Sequence, residues 1–265
     1  MPVSPRIITL TTDFGTSDHF VGAMKGVIAN LAPRTQIIDI THEITPYEIM
    51  EGAFVIAETW GHFPKGTIHV VVVDPGVGSA RRPIVAEAGG QFFIAPDNGV
   101  LSMIYDAVPK AKVRIISNTK LMARDVSRTF HGRDIFAPAA AHLAKGVPVA
   151  RFGKLIHDCL RIDGTKPEKI GVKHWRGMIL KADRFGNLVT NFHVDHFASV
   201  TGRAFEIRIG NEVIRRLALT FSEAEIGELV TIVGSSGYLE IAANQASAAK
   251  ILGCGARTPV ELELF

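Results

Sequence analysis

The stretch VVVDPGVGSARR, residues 71 to 82, sets a carboxylate at the end of an apolar run and two guanidiniums one turn later. Carboxylates seldom sit at such a place without a partner. Two chemistries suit Asp74 there. It could form a structural ion pair with Arg81, or hold a reacting group at a strand end with Arg81 beside it. The local sequence leaves both open. The glycines do not spell G-x-G-x-x-G, and no G-K-[ST] follows, so neither a dinucleotide loop nor a phosphate loop is indicated.

Five other segments bear on candidate chemistry. TTDFGTSD (11–18) puts two acids around a glycine. Asp18 could cap the following helix and Asp13 could hold the turn, or Asp13 could accept hydrogen bonds from a vicinal diol such as ribose, as acids at strand ends do. TFHGRD (129–134) places His131 before Gly132 at the start of an apolar helix, where it could cap that helix or line a pocket. DRFGNLVTNF (183–192) reads as a hairpin turn around Gly186-Asn187; equally, Phe185 could stack on a flat ring while Asn187 reads its edge. PDNGVLS (96–102) has the pattern of a turn feeding a helix. HVDH (193–196) lacks a nearby third ligand and reads as a solvated turn. HExxH, CxxC and GxSxG are absent, which removes the zinc-peptidase and serine-hydrolase readings.

Those side chains need a frame. RIITLTT (6–12), TQIIDI (35–40), TIHVVVVD (67–74), PIVAEA (83–88) and QFFIAPD (91–97) are β-prone. Helical periodicity separates the first three, with Phe20, Met24, Val27, Ile28 and Leu31 on one stretch. On the next, Ile49, Ala53, Ile56 and Trp60 share a face, with Thr45-Pro46 suiting its start. The expected first domain, residues 1–165, is α/β with a mainly parallel sheet flanked by helices. Asp13 and Asp74 then fall at the carboxyl ends of strands, the ligand-binding edge of such sheets. LRIDGTKPEKIGVKHWRG reads as a linker. The short β-prone runs beyond it predict a smaller, antiparallel, barrel-like second domain over 166–265.

The 265 residues suffice for two domains with real cores. A net charge of +3, from 29 basic and 26 acidic residues, gives no nucleic-acid track and no anionic-membrane surface. No apolar run reaches the roughly 18 residues of a spanning helix, and the start MPVSPRIITLTTDFG lacks a leader's features. Cys159 and Cys254 fit free thiols in a reducing cytoplasm.

Seven segments in order resemble the S-adenosyl-L-methionine hydroxide adenosyltransferase family, which is related to fluorinase and chlorinase. They are TTDFGTSDHFVGAMKGVI, DITHEITPYEIMEGAFVI, VVVDPGVGS with its following arginine, FIAPDNGVLS, TFHGRDIFAPAAA, DRFGNLVTNF and SSGYLEIA. The resemblance covers nearly the whole chain. It implies hydrolysis of S-adenosyl-L-methionine to adenosine and L-methionine without metal or cofactor, by attack of water or hydroxide on ribose C5′. A sulfonium is already an activated leaving group, so the task is to hold and partly deprotonate a water.

The implied catalytic trio is Asp74, Arg81 and His131, the spacing favouring Arg81 over Arg82. Asp13, with Asp18 in the same segment, would face the substrate, Asp13 on the ribose hydroxyls. Tyr47 would pack on ribose or adenine, and Phe130 and Gly132 would line the pocket beside His131. Phe185 and Asn187 would take the adenine, and Asp183, Ser235 and Ser236 the methionine amino and carboxylate ends. Gly234 and Ser236 depart from the family pattern. Halogenating relatives lack an acid at the position of Asp74, and the fluorinase has serine where Gly132 stands, which favours hydrolysis. The resemblance also implies a homotrimer with the active site at the subunit interface. The alternatives are a non-catalytic binder of S-adenosyl-L-methionine or adenosine, and a halogenase.

Overall fold

The structure, a computed structural model, describes residues 6–265. The leader reading extends over residues 1–5, which lie outside the described residues. The chain divides into two compact units, one ending at Ile162 and the other Asp163–Phe265.

The first unit is built on a seven-stranded sheet. Its strands are β1 (Ile7–Thr12), β2 (Gln36–Thr41), β3 (Ile68–Val72), β4 (Pro83–Ala88), β5 (Gln91–Pro96), β6 (Lys112–Ile115) and β7 (Leu155–Ile156), in the order β2-β1-β3-β5-β4-β6-β7. The block β2-β1-β3-β5 is parallel. The other strands join antiparallel, because Gly89 and Gly90, both at positive φ, turn β4 straight back into β5. The sheet is therefore mixed, and its parallel part contains β1 and β3, the strands that lead to Asp13 and Asp74.

Four helices cover it: α1 (Phe20–Leu31), α2 (Ile49–Thr59), α3 (Ser102–Ala107) and α4 (Ala137–Ala144). β3 shows why its sequence is apolar throughout. Val70 and Val72 belong to the core with Met24, Ile28 and Ala140 of α1 and α4, whereas Val71 belongs to the core with Ile56 and Ile104 of α2 and α3. A strand buried on both faces has no polar side to alternate with.

Two helix starts differ from expectation. α2 begins at Ile49, with Glu48 and not Thr45 at its N-cap. Tyr47 takes a left-handed φ of 71°, which no helical first turn tolerates, so Pro46-Tyr47 belongs to a loop. At α1 the cap position is His19, and Asp18 is exposed without capping it.

In the second unit a nine-stranded curled sheet comprises β8 (Glu168–Lys169), β9 (His174–Ala182), β10 (Leu188–His193), β11 (Phe205–Ile209), β12 (Glu212–Ile214), β13 (Leu217–Ala218), β14 (Leu229–Val233), β15 (Tyr238–Ala243) and β16 (Pro259–Leu264). All pairings are antiparallel except β13 with β14. The expected linker is shorter than its composition suggested. His174–Gly177 is already strand, pairing with β16, a strand the sequence reading did not anticipate. β9 changes partner from β16 to β10 near Gly177, where a Cβ would lie 2.2 Å from Asn191 Oδ1. Only glycine permits that close corner. No helix among the described residues is long and apolar enough to cross a membrane.

Candidate active site

β3 ends at Val72, and the chain turns through Asp74-Pro75-Gly76-Val77, with Val77 N–H donating to the Asp74 carbonyl at 3.1 Å. The turn brings Arg81 back onto Asp74. Arg81 Nε donates to Asp74 Oδ1 at 3.0 Å and Oδ2 at 2.9 Å, and Nη2 also donates to Oδ2. The side chains are 8% and 4% exposed, so the pair is desolvated. Arg81 Nη2 also lies 2.7 Å from His131 Nδ1. Arginine can only donate, so Nδ1 accepts and the His131 proton resides on Nε2. Burial, and then the Arg81 charge, push the His131 pKa below its ordinary value, which keeps the ring neutral.

The loop before His131 is seated on the same turn. Gly78 has φ 78°, and a Cβ there would stand 2.3 Å from the Arg128 carbonyl. His131 precedes a π-helical turn, Gly132–Phe136, that runs into α4. Gly132 is buried, and a Cβ on it would meet Met24 Sδ at 3.1 Å and Phe14 at 3.3 Å.

A cavity of about 330 Å³ opens over this group. Asp13, Tyr47, Asp74, Phe130, His131 and Gly132 line it, joined by Phe14, Phe20 and Val77. Asp13 Oδ2 accepts the Tyr47 N–H at 2.9 Å, tying the ends of β1 and the 45–48 loop together. Burial raises the Asp13 pKa; the Tyr47 hydrogen bond opposes this and the Asp74 charge adds to it. Arg81 does not line the cavity; it stands behind Asp74 and His131 and is bonded to both. Arg82 is engaged elsewhere, with Asp97 at 2.8 Å and Asp158 at 2.9 Å.

Sequence reasoning named Phe130 as a pocket residue but not its aromatic neighbours Phe14 and Phe20. Phe14, Phe20 and Phe130 meet with ring centroids 5.1 to 6.0 Å apart. The phenylalanine of TTDFG was the available signal. It also gave Asn98 only a turn role, yet Asn98 Nδ2 donates to the Val73 carbonyl at 2.8 Å, just before Asp74.

The remaining expected residues lie in the second unit. Asp183 accepts from the N–H groups of Phe185 and Asn187, each at 2.8 Å, and from Asn187 Nδ2 at 2.9 Å. It thus organises the β9–β10 turn, keeping one Oδ2 lone pair uncommitted by those bonds. Phe185 is 79% exposed. It lines, with Asn187, Phe221, Gln245 and Ser247, a cleft of about 570 Å³. Ser235 and Ser236 lie in the 234–237 turn between β14 and β15 and do not line that cleft. HVDH forms the short helix Val194–Phe197 with its flanking His193. Among the described residues no three His, Cys, Asp or Glu side chains are grouped as metal ligands.

A strand-end carboxylate held by arginine, next to a neutral histidine in a mainly apolar cavity, can accept hydrogen bonds from a small polar molecule and hold it there. The chain belongs to the SAM hydroxide adenosyltransferase family. Residues 8–153 match the family's N-terminal domain and residues 177–261 its C-terminal domain. Among individual relatives, a protein of Salinispora tropica named (R)-S-adenosyl-L-methionine hydrolase is 37% identical, with 93% of each chain covered. A fluorinase of Actinoplanes sp. is 30% identical, with 91% of each covered. The crystal structure of an uncharacterized conserved protein from Thermotoga maritima superposes with a TM-score of 0.88 at 36% identity, covering 96% of this chain and 99% of that one.

Proposed function

We propose that the protein hydrolyses S-adenosyl-L-methionine to adenosine and L-methionine. The observation that carries this reading is the Asp74–Arg81–His131 cluster, whose acid and imidazole line the cavity, in a chain similar to named hydrolases. A water oxygen attacks ribose C5′; the C5′–S bond breaks, and its electron pair returns to sulfur as the neutral thioether. The water proton passes to Asp74 and then to solvent. Arg81 occupies three carboxylate lone-pair positions, which leaves Oδ1 one position to accept from a water. His131, neutral with its N–H on Nε2, adds no positive charge beside the cationic sulfonium. The acids Asp13 and Asp74 give the cavity the opposite sign to that substrate.

In this reading Asp74 and His131 act on the water, and Arg81 fixes both. Asp13 holds the ribose hydroxyls, while Tyr47, Phe130 and Gly132 shape the pocket. Asp18 is exposed and outside the cavity, so it takes at most a peripheral part. In the second domain, proposed as residues 166–265, Phe185 and Asn187 receive the adenine, and Asp183, Ser235 and Ser236 the methionine end. Two partial sites on one chain suit the homotrimer implied by the family, in which a neighbour completes the pocket. The enzyme is proposed to work in the cytoplasm without metal or cofactor.

The test is incubation of the pure protein with each sulfonium epimer of S-adenosyl-L-methionine in 18O-labelled water. Label at C5′–OH of adenosine and preference for the (R) epimer, the one named in the relatives, are expected. Unlabelled adenosine, or an intact substrate after long incubation, overturns the reading. A chelator is expected to leave the rate unchanged, and sedimentation should give a trimer.

A further inference from the structure

Asp13 is tethered to the protein from a second direction by residues that its proposed role does not use. Thr12, fully buried, holds two groups with one oxygen: Oγ1 accepts the Phe14 N–H at 3.2 Å and lies 2.8 Å from His42 Nδ1. His42, itself buried, approaches Asp39 Oδ1 with Nε2 at 3.1 Å, off the N–H axis of a full hydrogen bond. Asp39 in turn pairs with Lys25 of α1 at 2.5 Å. The Asp39 carboxylate favours the proton on Nε2, so Nδ1 is the acceptor and the Thr12 hydroxyl donates to it. With its hydrogen committed there, Thr12 Oγ1 presents lone pairs to Phe14 N–H. The backbone repeats the tie, since Gly15 N–H donates to the His42 carbonyl at 2.7 Å. Asp13 sits between Thr12 and Phe14, so the direction of its carboxylate depends on this clamp.

We propose that His42, acting through Thr12, is a positioning residue that aims Asp13 at the ribose diol of the substrate. The inference rests on the reading of Asp13 as the ribose ligand. Thr12 and His42 touch neither the reacting carbon nor the water. The contact they aim is made equally in the ground and transition states, so its loss should appear in KM and not in kcat.

The experiment compares adenosine with 2′,3′-dideoxyadenosine by calorimetry on the wild type, Thr12→Val, Thr12→Ser, His42→Phe, His42→Asn and Asp39→Asn. Steady-state kinetics and Tm accompany each. Thr12→Val keeps the shape and removes the hydroxyl, whereas His42→Asn keeps an acceptor near the position of Nδ1. The wild type is expected to prefer adenosine. Thr12→Val and His42→Phe should bind adenosine about five-fold more weakly and show a KM about five-fold higher, while binding the dideoxy compound as before. Thr12→Ser and His42→Asn should stay near wild type. Asp39→Asn, on the surface and outside the core, should show about a two-fold loss of the same kind and carries the test if a buried variant fails to fold. An unchanged adenosine-to-dideoxyadenosine ratio in the folded variants overturns the proposal, as does equal weakening of both ligands. If the wild type itself does not distinguish the two ligands, the reading of Asp13 fails first, and that outcome is separate.

Discussion

Arg81 donates to His131 Nδ1 across 2.7 Å, and this one bond decides which nitrogen of His131 carries its proton. The same guanidinium holds Asp74 through Nε. The acid and the imidazole are thus set by a residue that does not itself face the cavity.

A pH profile reports on that arrangement. Protonating His131 would set an N–H against a guanidinium, so kcat/KM should fall as pH drops through the folded-state pKa of the free enzyme. Burial, then the Arg81 charge, hold that value below 6.5, so the acid limb should have its midpoint below 6.5. A midpoint at or above 6.5 would count against the neutral ring. Stability follows the same sign: the unfolded state takes up its proton first, so acid weakens the fold in that window.

Asp74→Ala should lower kcat by ~10²–10⁴-fold, the usual range for removing a general base. In the proposed mechanism the acid acts on water and not on the nucleoside, so KM should stay within about three-fold. Arg81→Lys keeps the charge but not the two-point grip, and should lower kcat by ~10-fold or more. Steady-state kinetics on both separate these effects. A change confined to KM would remove Asp74 from the chemistry.

Asn98→Ala leaves the Val73 carbonyl without its side-chain partner, at the residue that precedes Asp74. A stability loss of about 1 kcal/mol is expected from the missing hydrogen bond. A kcat about ten-fold lower would report the misdirected acid. Denaturant melts with kinetics measure both. Wild-type kcat in a destabilised variant would confine Asn98 to the turn.

His69, fully buried, predicts a second acid sensitivity away from the site. It is bonded to Thr9 at 2.7 Å and Gln91 at 2.5 Å, and burial lowers its pKa from 6.5 to about 4. Its contribution is complete above pH 6.5 and declines as pH falls toward about 4, because the unfolded chain binds the proton first. The span corresponds to about 3 kcal/mol. Denaturation midpoints at pH 7 and pH 5 should differ, and His69→Gln should flatten the difference.

Gly78→Ala should cost about 2–3 kcal/mol, from the left-handed φ and the collision with the Arg128 carbonyl. Gly76→Ala is the control, since its Cβ would find nothing nearer than 3.4 Å. Equal melting temperatures for the two variants would contradict the close approach.

How far the sequence disclosed this site depends on the distance over which each contact forms. Asp74 and Arg81 were legible because a strand-end acid and an arginine across one glycine turn meet locally. The four-valine run announced a strand buried on both faces. The seating of Gly78 on Arg128, the reach of Asn98 to Val73 and the His42–Thr12 bond join segments that only the folded sheet brings together. No local pattern announces them. Composition misread His174–Gly177 as linker because its pairing partner, Pro259–Leu264, lies at the far end of the chain. Tyr47 misled for a different reason: proline after threonine usually opens a helix, but the Asp13 carboxylate holds the Tyr47 N–H in a loop.

The buried pairing of Asp74 with Arg81 also restricts descent. A lineage that lost the acid alone would strand a desolvated guanidinium, at about 3–5 kcal/mol in a typical buried pair. Two routes lead away from that penalty: changing position 81 in step, or admitting a small anion into the vacated space. On the proposed reading, the second route would turn a pocket that holds water into one that holds an anion in a single codon. Growing Asp74→Gly libraries in high chloride or formate would show whether that door opens from this sequence.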